Sequence, residues 1–484
     1  MQQKPAIMDS EEFKKQAHLF VEWMGDYLEN ITDYPVKSTV SPGEIKGKLS
    51  DSCPVKGEDM SDIFKDFREI IMPGVTHWQH PSFHAYFPAN SSYPSLLGEM
   101  LTAAMGLQCM MWDTSPAAAE LEERVTCWLR DMTGLPSSWK GVIQDTASTA
   151  TLVAILTARE RLTDFRCNEK GLFDEKKMRV YCSAEAHSSV DKGVRIAGLG
   201  TDNLVKIPVD ENLAMKPELL DKAIREDTEK GFLPLCTVAA LGTTGTVAVD
   251  PVDEIGSICE KYNIWLHIDA AYAGSALILP EYRHMMKGVE KADSFVFNPH
   301  KWLFTNFDCS LYFVKECGSL KKTFSITPEY LKTGSEENVN NYRDWGIQLG
   351  RRFRALKLWF VLRSFGEEGL QKKLREHISI AGIFKNLLLK NGEFELTSPA
   401  SFNVICFRWT PAGYSEEDYN ELTRDLMTRI NLSGKAFLSH TVVKGKYTIR
   451  MVAGQTNISV EHIEMLHQLL VETAEEIIRE RKGG

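Results

Sequence analysis

Short apolar runs alternate with helical stretches across the middle of the chain, from about residue 141 to residue 314. The apolar runs lie at residues 179–182, 204–207, 237–241, 264–268 and 295–297, and helical stretches such as 217–228 and 253–262 lie between them. This alternation predicts a mostly parallel sheet with helices on both faces. Ligands bind such sheets beyond the carboxyl ends of the strands, so we expect a site where the runs end.

The two ends of the chain have different patterns. Residues 10–30 carry apolar side chains at helical spacing, a connector rich in Pro and Gly follows, and residues 63–71 form a second amphipathic segment. This predicts a helical arm over residues 1–93, which either packs as a surface appendage or covers a second subunit. A strand-like run at 403–407 and a final amphipathic helix predict a smaller α/β domain over residues 371–484, beside a large domain over 94–370.

Composition and charge narrow the classes of partner. The formal net charge of −10 argues against nucleic acid and anionic membranes, which need a basic face. The amino terminus has no apolar core of a signal peptide, and Glu99 and Gln108 interrupt the long apolar region at 96–112. Ten cysteines without a CxxC pair indicate buried free thiols in a reducing compartment. We expect a cytoplasmic protein.

A lysine and an aspartate follow two of the apolar runs. Lys301 stands beside His300 after the run at 295–297, and Asp269 follows the run at 264–268. Pyridoxal 5′-phosphate (PLP) needs a lysine that carries it as a Schiff base and an acidic residue that holds its pyridinium nitrogen. Either residue alone is more often a surface charge or part of a turn. Together and in this order they predict a PLP site.

Residues 144–149 precede a helix predicted at 150–162. Free backbone N–H groups and the helix dipole suit this start for a phosphate, and Ser148 adds a hydroxyl; the alternative is an ordinary N-cap. His300 could add a charge-assisted contact to the phosphate. His187 follows the run at 179–182 and could lie flat on the pyridine ring, or it could be a structural hydrogen-bonding group.

Residues 76–88 are dense in aromatic and histidine side chains. His77, His80 and His84 suggest a metal, but their spacing requires a helix and Pro81 interrupts one, so we expect no metal. The remaining alternatives are a rigid aromatic wall for a flat apolar substrate and a packed core.

Seven stretches are specific enough to compare with a known family. They are His77-Trp78, Ala85 to Pro88, Ala186 to Ser189, His267 to Ala276, Asn298 to Leu303, Asn306 to Cys309 and Leu349 to Arg354. Through them, and over nearly its whole length, the chain resembles the group II pyridoxal-phosphate decarboxylases, and within them the aromatic-L-amino-acid decarboxylases. The resemblance implies the aminotransferase-like fold type I, with a mostly parallel seven-stranded sheet in the large domain, a small C-terminal α/β domain and an N-terminal arm that packs on the partner subunit. It also implies a homodimer with shared active sites.

The resemblance implies roles for individual residues. Lys301 is similar to the Schiff-base lysine, Asp269 to the pyridinium partner and His187 to the ring-stacking histidine. Six further residues match positions that contact the cofactor in the family: Ala147, Ser148, Thr244, Asn298, His300 and Gly350. The substrate wall, to which His187 and Gly350 also belong, matches Trp78, Tyr86, Phe87 and Pro88. The implied reaction is decarboxylation of an aromatic L-amino acid to an arylalkylamine and CO₂.

The segment from Phe324 to Glu336 matches a mobile loop that supplies a tyrosine from the neighbouring subunit. Tyr330 is that tyrosine here, and we expect it to be the catalytic proton donor; the alternative is an ordinary exposed turn. Relatives with phenylalanine at this position tend to release an aldehyde. Tyr330 therefore favours simple decarboxylation over the alternative, an aromatic acetaldehyde synthase.

Departures from the family pattern bear on the substrate. Ala89 stands where animal enzymes of the family carry a threonine, and Met110 stands where an aromatic residue is common. Gly350 leaves room for an indole. We expect tryptophan-like substrates, with phenylalanine, tyrosine and dihydroxyphenylalanine possible. Asp145-Thr146 replaces the Gly-Ser or Gly-Thr of many relatives at the phosphate end.

Two readings from other classes remain. One is a binding or scaffold protein that has lost turnover, against which the retained Lys301, Asp269, His187 and Tyr330 argue. The other is a dinucleotide-binding oxidoreductase, but no G-x-G-x-x-G follows the first strand.

Overall fold

The computed structural model describes residues 8–172, 175–326 and 339–483. The described N-terminal part contains three α-helices: α1 (Ser10–Glu29), α2 (Glu44–Lys48) and α3 (Met60–Asp66). The rings of Phe20 and Phe64 lie 4.7 Å apart, and this contact packs α1 against α3. Phe13 and Leu19 of α1 remain 61% and 53% exposed, so the apolar face is only partly covered within the described chain.

A seven-stranded sheet forms the centre of the molecule. Its strands are β1 (Lys140–Gln144), β2 (Met178–Ser183), β3 (Leu204–Ile207), β4 (Leu233–Ala240), β5 (Trp265–Asp269), β6 (Ser294–Phe297) and β7 (Ser310–Val314). They are arranged in the order β1-β7-β6-β5-β4-β2-β3. Strand β7 runs antiparallel to both neighbours, and the pairs from β6 to β3 are parallel. The predicted fold class is confirmed.

Helices cover both faces of this sheet. They are α4 (Tyr93–Met105), α5 (Pro116–Thr133), α6 (Ala147–Leu162), α7 (Arg166–Lys170), α8 (Ser189–Ile196), α9 (Pro217–Glu229), α10 (Val252–Tyr262), α11 (Pro299–Trp302) and α12 (Cys317–Phe324). Successive residues of one strand enter different cores: Tyr181 belongs to one hydrophobic cluster and Val180 to another. Because strand side chains alternate between faces, this division is what a sheet buried on both sides requires.

A second sheet follows a long helix, α13 (Arg354–Asn391). Its elements are β8 (Phe394–Leu396), β9 (Val404–Trp409), α14 (Glu416–Leu432), β10 (Ser439–Val443), β11 (Lys446–Val452) and α15 (Val460–Gly483). The strands are antiparallel in the order β10-β11-β9-β8. Helix α13 crosses the predicted boundary at 370/371 and is interrupted at Gly366, where φ is 64°. The domain limits stay a prediction.

The histidines of residues 76–88 have structural partners. Nδ1 of His77 lies 2.8 Å from the Tyr27 hydroxyl, and Nδ1 of His84 lies 3.3 Å from the Val452 carbonyl oxygen. His80 Nδ1 accepts the Ser82 backbone N–H at 2.9 Å. Among the residues that the structure describes, no cluster of His, Cys, Asp and Glu is arranged to hold a metal. Nor does any described helix combine the length and apolarity needed to cross a membrane.

Candidate active site

A cavity of about 270 Å³ opens beyond the carboxyl ends of the central strands. Nine of the residues predicted for the site line it: Phe87, Ala147, Ser148, His187, Thr244, Asp269, Asn298, His300 and Lys301. The cavity forms there because β4, β5 and β6 are adjacent and parallel, so their carboxyl ends share one edge of the sheet.

Lys301 lies in the single helical turn α11, which follows β6. Its Nζ is 5.2 Å from the centre of the Phe87 ring. Burial lowers the pKa of Lys301; the Asp269 carboxylate opposes this shift, and the Arg450 guanidinium adds to it. A lysine with a lowered pKa is more often neutral, and the neutral amine is the form that attacks a carbonyl carbon.

Asp269 ends β5, and its side chain is fixed by the following turn. Oδ1 accepts the backbone N–H of Ala271 at 3.0 Å, and the residue is only 9% exposed. Its charge acts on both Lys301 and His187. A carboxylate held in this way can stabilise a cationic group inside the cavity.

His187 is neutral, with its proton position set by the backbone. Nδ1 accepts the Ser189 N–H at 3.1 Å, so the ring proton is on Nε2. Burial lowers the pKa of His187, Asp269 opposes the shift, and Lys301 adds to it.

His300 is a neutral hydrogen-bond donor. Its Nδ1 accepts the Cys309 N–H at 2.8 Å, which leaves Nε2–H as the donor. Burial, followed by the charges of Lys301 and Lys357, lowers the pKa of His300 to about 3. The chain's own groups therefore make this side chain a neutral donor, and its contact with an ionised phosphate would still be charge-assisted.

The start of α6 forms one end of the cavity. Thr146 is the N-cap, and its side chain accepts the Thr149 N–H at 3.4 Å. The capping role that was the alternative for Ser148 thus falls to Thr146, and Ser148 is an exposed residue that lines the cavity. Backbone N–H groups in the first turn of a helix have no intrahelical acceptor, so this end suits an anion.

Gly242 shapes the turn that carries Thr244. Its φ is +94°, and a Cβ atom at this position would lie 2.6 Å from Cβ of Ala273. Both the conformation and the close contact exclude a larger residue without strain.

A stack of aromatic rings extends from the cavity into the core. Phe87 and Tyr272 are nearly parallel with centroids 3.8 Å apart, and Tyr272 and Trp302 follow at 5.1 Å. The Tyr272 hydroxyl donates to Oδ1 of Asn403 at 2.9 Å, and Trp302 Nε1 donates to Nδ1 of His377 at 3.0 Å. These bonds hold the stack and thereby fix Phe87 beside Lys301.

One comparison decides the family. The model of the "Pyridoxal-dependent decarboxylase conserved domain" matches residues 42–410. This chain belongs to that family. It is a PLP-dependent decarboxylase.

Individual relatives of this decarboxylase cover almost the whole chain. "Tryptophan decarboxylase 2" of Oryza sativa subsp. japonica is 43% identical over 97% of this chain and 96% of its own length. "Phenylacetaldehyde synthase" of Arabidopsis thaliana is also 43% identical, over 96% of each chain. The crystal structure of Oryza sativa TDC with PLP and tryptamine superposes with a TM-score of 0.95 at 34% identity, covering 98% of this chain and 100% of that one.

The cavity of the decarboxylase fits its cofactor. A lysine with a lowered pKa, an aspartate at a strand end and a helix start with small residues lie around one space. These groups match the aldehyde, the pyridine nitrogen and the phosphate of PLP. The chemistry of the donor set therefore agrees with the family.

Thr146 lies in the segment 144–149 predicted for the phosphate, and Gly242 and Thr243 lie in the turn that carries Thr244. The lining residues that our sequence reasoning missed are Ala240, Ala271, Tyr272 and Phe307. Arg450 of β11 was also missed; it is 4% exposed, and its Nε donates to the Gly245 carbonyl at 2.7 Å. An arginine within the apolar run 447–453 was the available signal, because buried arginines are rare unless they are paired.

Other predicted residues are not brought to the cavity within the described chain. Trp78 and Tyr86 stack at 5.9 Å and are 38% and 52% exposed. Pro88 packs towards Gly454, and Gly350 lies against Gln108 on the surface. Tyr330 lies outside the described residues.

Proposed function

We propose that this PLP-dependent decarboxylase converts aromatic L-amino acids to arylalkylamines and CO₂, a step of amine biosynthesis. The observation that carries the proposal is the placement of Lys301, Asp269 and His187 around one cavity that also contains the Phe87 ring. The names of relatives support the substrate class, since they include tryptophan and tyrosine decarboxylases.

We propose the following roles for the chain's own groups. Lys301 holds the cofactor aldehyde, Asp269 holds its pyridine nitrogen, and His187 lies against the ring. Ala147, Ser148, Thr244, Asn298 and His300 surround the phosphate and the ring edge. When bound, PLP supplies the electron sink that decarboxylation needs. The Ser310 hydroxyl donates to Oδ1 of Asn298 at 2.6 Å, which orients the Asn298 amide.

The proton that replaces CO₂ at the substrate Cα needs a donor. We propose Tyr330, in the segment from Phe324 to Glu336 that matches the family's mobile loop, as that donor. Burial keeps His187 neutral with a proton on Nε2, so this ring can also hold a proton near the reacting atoms. Closure of the loop would exclude water from the cavity.

We propose a homodimer with shared active sites, because the cavity wall is open within one chain. Phe307 lines the cavity and is nevertheless 60% exposed, so the cavity opens onto the surface beside it. Exposed apolar side chains occur on α4 and near Gly350, among them Leu97, Leu101, Ile347 and Leu349. Extended apolar surface of this kind indicates an interface. We propose that a second copy covers it, and that Gly350 and Tyr330 act in the partner's site.

The N-terminal arm, residues 1–93, has a related role in this proposal. Its helix α1 has exposed apolar residues that would pack on the partner subunit, while residues 94–370 and 371–484 form the large and small domains. The ten cysteines are free among the described residues, and most are buried. This is consistent with the cytoplasmic location that we propose.

We propose that tryptophan-like substrates are preferred. Gly350 has no side chain to fill the space near the aromatic group, and Ala89 and Met110 offer no hydroxyl for a phenolic ring. Trp78, Tyr86, Phe87 and Pro88 would form the wall against which the substrate ring packs. Phenylalanine, tyrosine and dihydroxyphenylalanine remain within the proposed class.

An aromatic acetaldehyde synthase is the second candidate. The phenylacetaldehyde synthase of Arabidopsis thaliana favours it, because its identity to this chain equals that of the tryptophan decarboxylase. Tyr330 favours the decarboxylase.

One experiment tests both candidates. The purified enzyme with PLP is incubated with tryptophan, tyrosine, phenylalanine, dihydroxyphenylalanine and histidine, and amine, CO₂, aldehyde, ammonia and peroxide are quantified. We expect tryptamine and CO₂ in equal amounts. Aldehyde with ammonia and peroxide would support the synthase, and tyramine without tryptamine would contradict the substrate preference.

A further inference from the structure

Asp145 places a carboxylate at the phosphate end of the cavity. It stands immediately before Thr146, and the next three residues line the cavity. Its Oδ1 accepts the Thr146 N–H at 2.6 Å, and its Oδ2 accepts Nε2–H of Gln348 at 3.0 Å. Both oxygens are therefore held, and the side chain is fixed at this end.

The carboxylate lies in the field that would attract a phosphate. The start of α6 carries partial positive charge, and an anionic side chain near it is stabilised by the same field. The negative charge of Asp145 acts on a residue that lines the cavity. Burial, Lys301 and Lys357 lower the pKa of His300, and Asp145 opposes that shift. Asp145 and a bound phosphate would thus compete for one favourable potential.

Few positive charges line this end of the cavity, but the Arg354 guanidinium, which pairs with Asp308, also interacts with the Asp145 carboxylate. The charged side chains that line the described cavity are Lys301 and Asp269, because His187 and His300 are neutral. A phosphate monoester carries between one and two negative charges at neutral pH. It would meet neutral donors at 146–148 and, one residue earlier, a fixed negative charge.

We propose that Asp145 tunes cofactor binding: its carboxylate repels the phosphate and lowers the affinity of the enzyme for PLP. Its bond to Gln348 also connects the phosphate end to the segment that carries Gly350, two residues further on. The inference rests on the family's cofactor and on the proposed position of the phosphate at residues 146–148. It does not depend on which amino acid is the substrate.

The test compares Asp145→Asn with the parent enzyme. Full-length protein is stripped of cofactor and titrated with PLP, and separately with pyridoxal, which lacks the phosphate. The visible absorption of the lysine-bound aldehyde is the readout, so turnover is not needed. Asp202→Asn is the matched control, because Asp202 is exposed and lies just before β3, at the opposite end of the strands.

We expect Asp145→Asn to lower the Kd for PLP by about three- to tenfold, a modest Coulomb effect between partly solvated charges. The Kd for pyridoxal should not change. The gain should shrink when salt is raised from about 0.05 M to about 0.5 M, since screening weakens the repulsion. Asp202→Asn should leave both constants unchanged.

Two results would overturn the proposal. One is an unchanged or weaker affinity for PLP in folded Asp145→Asn. The other is an equal change for PLP and pyridoxal, which would show that Asp145 only holds the turn. If Asp145→Asn does not fold, Asp145→Ser, which keeps a small polar side chain, is tested by the same criteria. An enzyme that binds PLP but forms no aromatic amine would contradict the proposed function and leave this inference intact.

Discussion

Replacing Glu122 with glutamine tests how the segment that carries Gly350 is held. Glu122 of α5 is 3% exposed and Arg351 is 7% exposed. Two nitrogens of Arg351 donate to the two carboxylate oxygens, at 3.0 Å and 2.6 Å. The Ile143 N–H also donates to Glu122 at 2.8 Å, and Arg351 donates to the Ile143 carbonyl at 2.7 Å. This network connects α5, β1 and the residue after Gly350.

The magnitude follows from the burial of both charges. Removing one partner of a buried ion pair costs about 3–5 kcal/mol, because the remaining charge is left without compensation. Glutamine keeps one acceptor oxygen, which at the Oε1 position can still accept both the Ile143 N–H and one guanidinium nitrogen. Its NH₂ group would face a guanidinium donor. We therefore expect Glu122→Gln to reduce the free energy of unfolding by about 3 kcal/mol.

The assay is urea denaturation at one fixed protein concentration, because the proposed dimer would make stability depend on concentration. Glu123→Gln is the control: Glu123 is the next residue of α5 and is exposed, with one bond from Asn340 at 3.1 Å. Loss of an exposed contact should change stability by less than about 1 kcal/mol. If Glu122→Gln were no more destabilising than Glu123→Gln, the ion pair would not hold this segment and the reasoning would be refuted.

Three further predictions concern the site and the core. Lys301→Ala should lose the visible cofactor band and CO₂ release, because no amine is left to hold the aldehyde. The control Lys322→Ala, on the exposed end of α12, should keep both. Undiminished CO₂ release by Lys301→Ala would contradict the role proposed for Lys301. Gly350→Ser should raise KM for tryptophan more than for tyrosine in steady-state assays, since the added side chain fills space. Burial lowers the pKa of His377 from 6.5 to about 3. Below pH 6.5 the unfolded chain therefore binds a proton that the folded chain does not, and the free energy of unfolding decreases as the pH is lowered. His377→Gln can still accept the hydrogen bond from Trp302. In denaturation experiments between pH 4 and 6 it should reduce the slope of unfolding free energy against pH by about 1.4 kcal/mol per pH unit. An unchanged slope would show that His377 is not the group responsible.

The central elements could be predicted because burial on both faces leaves a clear pattern. The run predicted at 295–297 is β6 within one residue, and the run at 204–207 is β3. The direction of β7 could not be predicted, since an antiparallel strand buried on both faces has the same apolar pattern as a parallel one. The apolar pattern predicts a helix over about residues 351–364, and the break at Gly366 follows two residues later; the continuation of α13 beyond that glycine was not predicted.

The cavity residues were predictable where they follow strands. Asp269 is the last residue of β5, and Asn298 directly follows β6. Because these two strands are parallel neighbours, the sheet alone brings the two residues together. Tyr272 was missed because its role depends on rings from Phe87 and Trp302, which are far away in sequence. The charge state of His300 could not be predicted, since it depends on burial and on Lys357, neither of which a motif contains.

The sequence around Gly350 does not say which copy of the chain this residue serves. Phe87 and Lys301 lie in one cavity of one chain, whereas Gly350 belongs to the same set of motifs but lies on the surface against Gln108. Gly350 lies beside Ile347 and Leu349, whose exposed apolar side chains gain stability only when they are covered. This surrounding surface favours a role for Gly350 at a contact with a second chain over a role within its own chain. A second copy that covers this surface would bury those side chains and bring a Gly350 to a cavity that already opens at Phe307. The same contact would then stabilise the dimer and complete the substrate wall, so a substitution that separates the subunits should also abolish the preference for tryptophan.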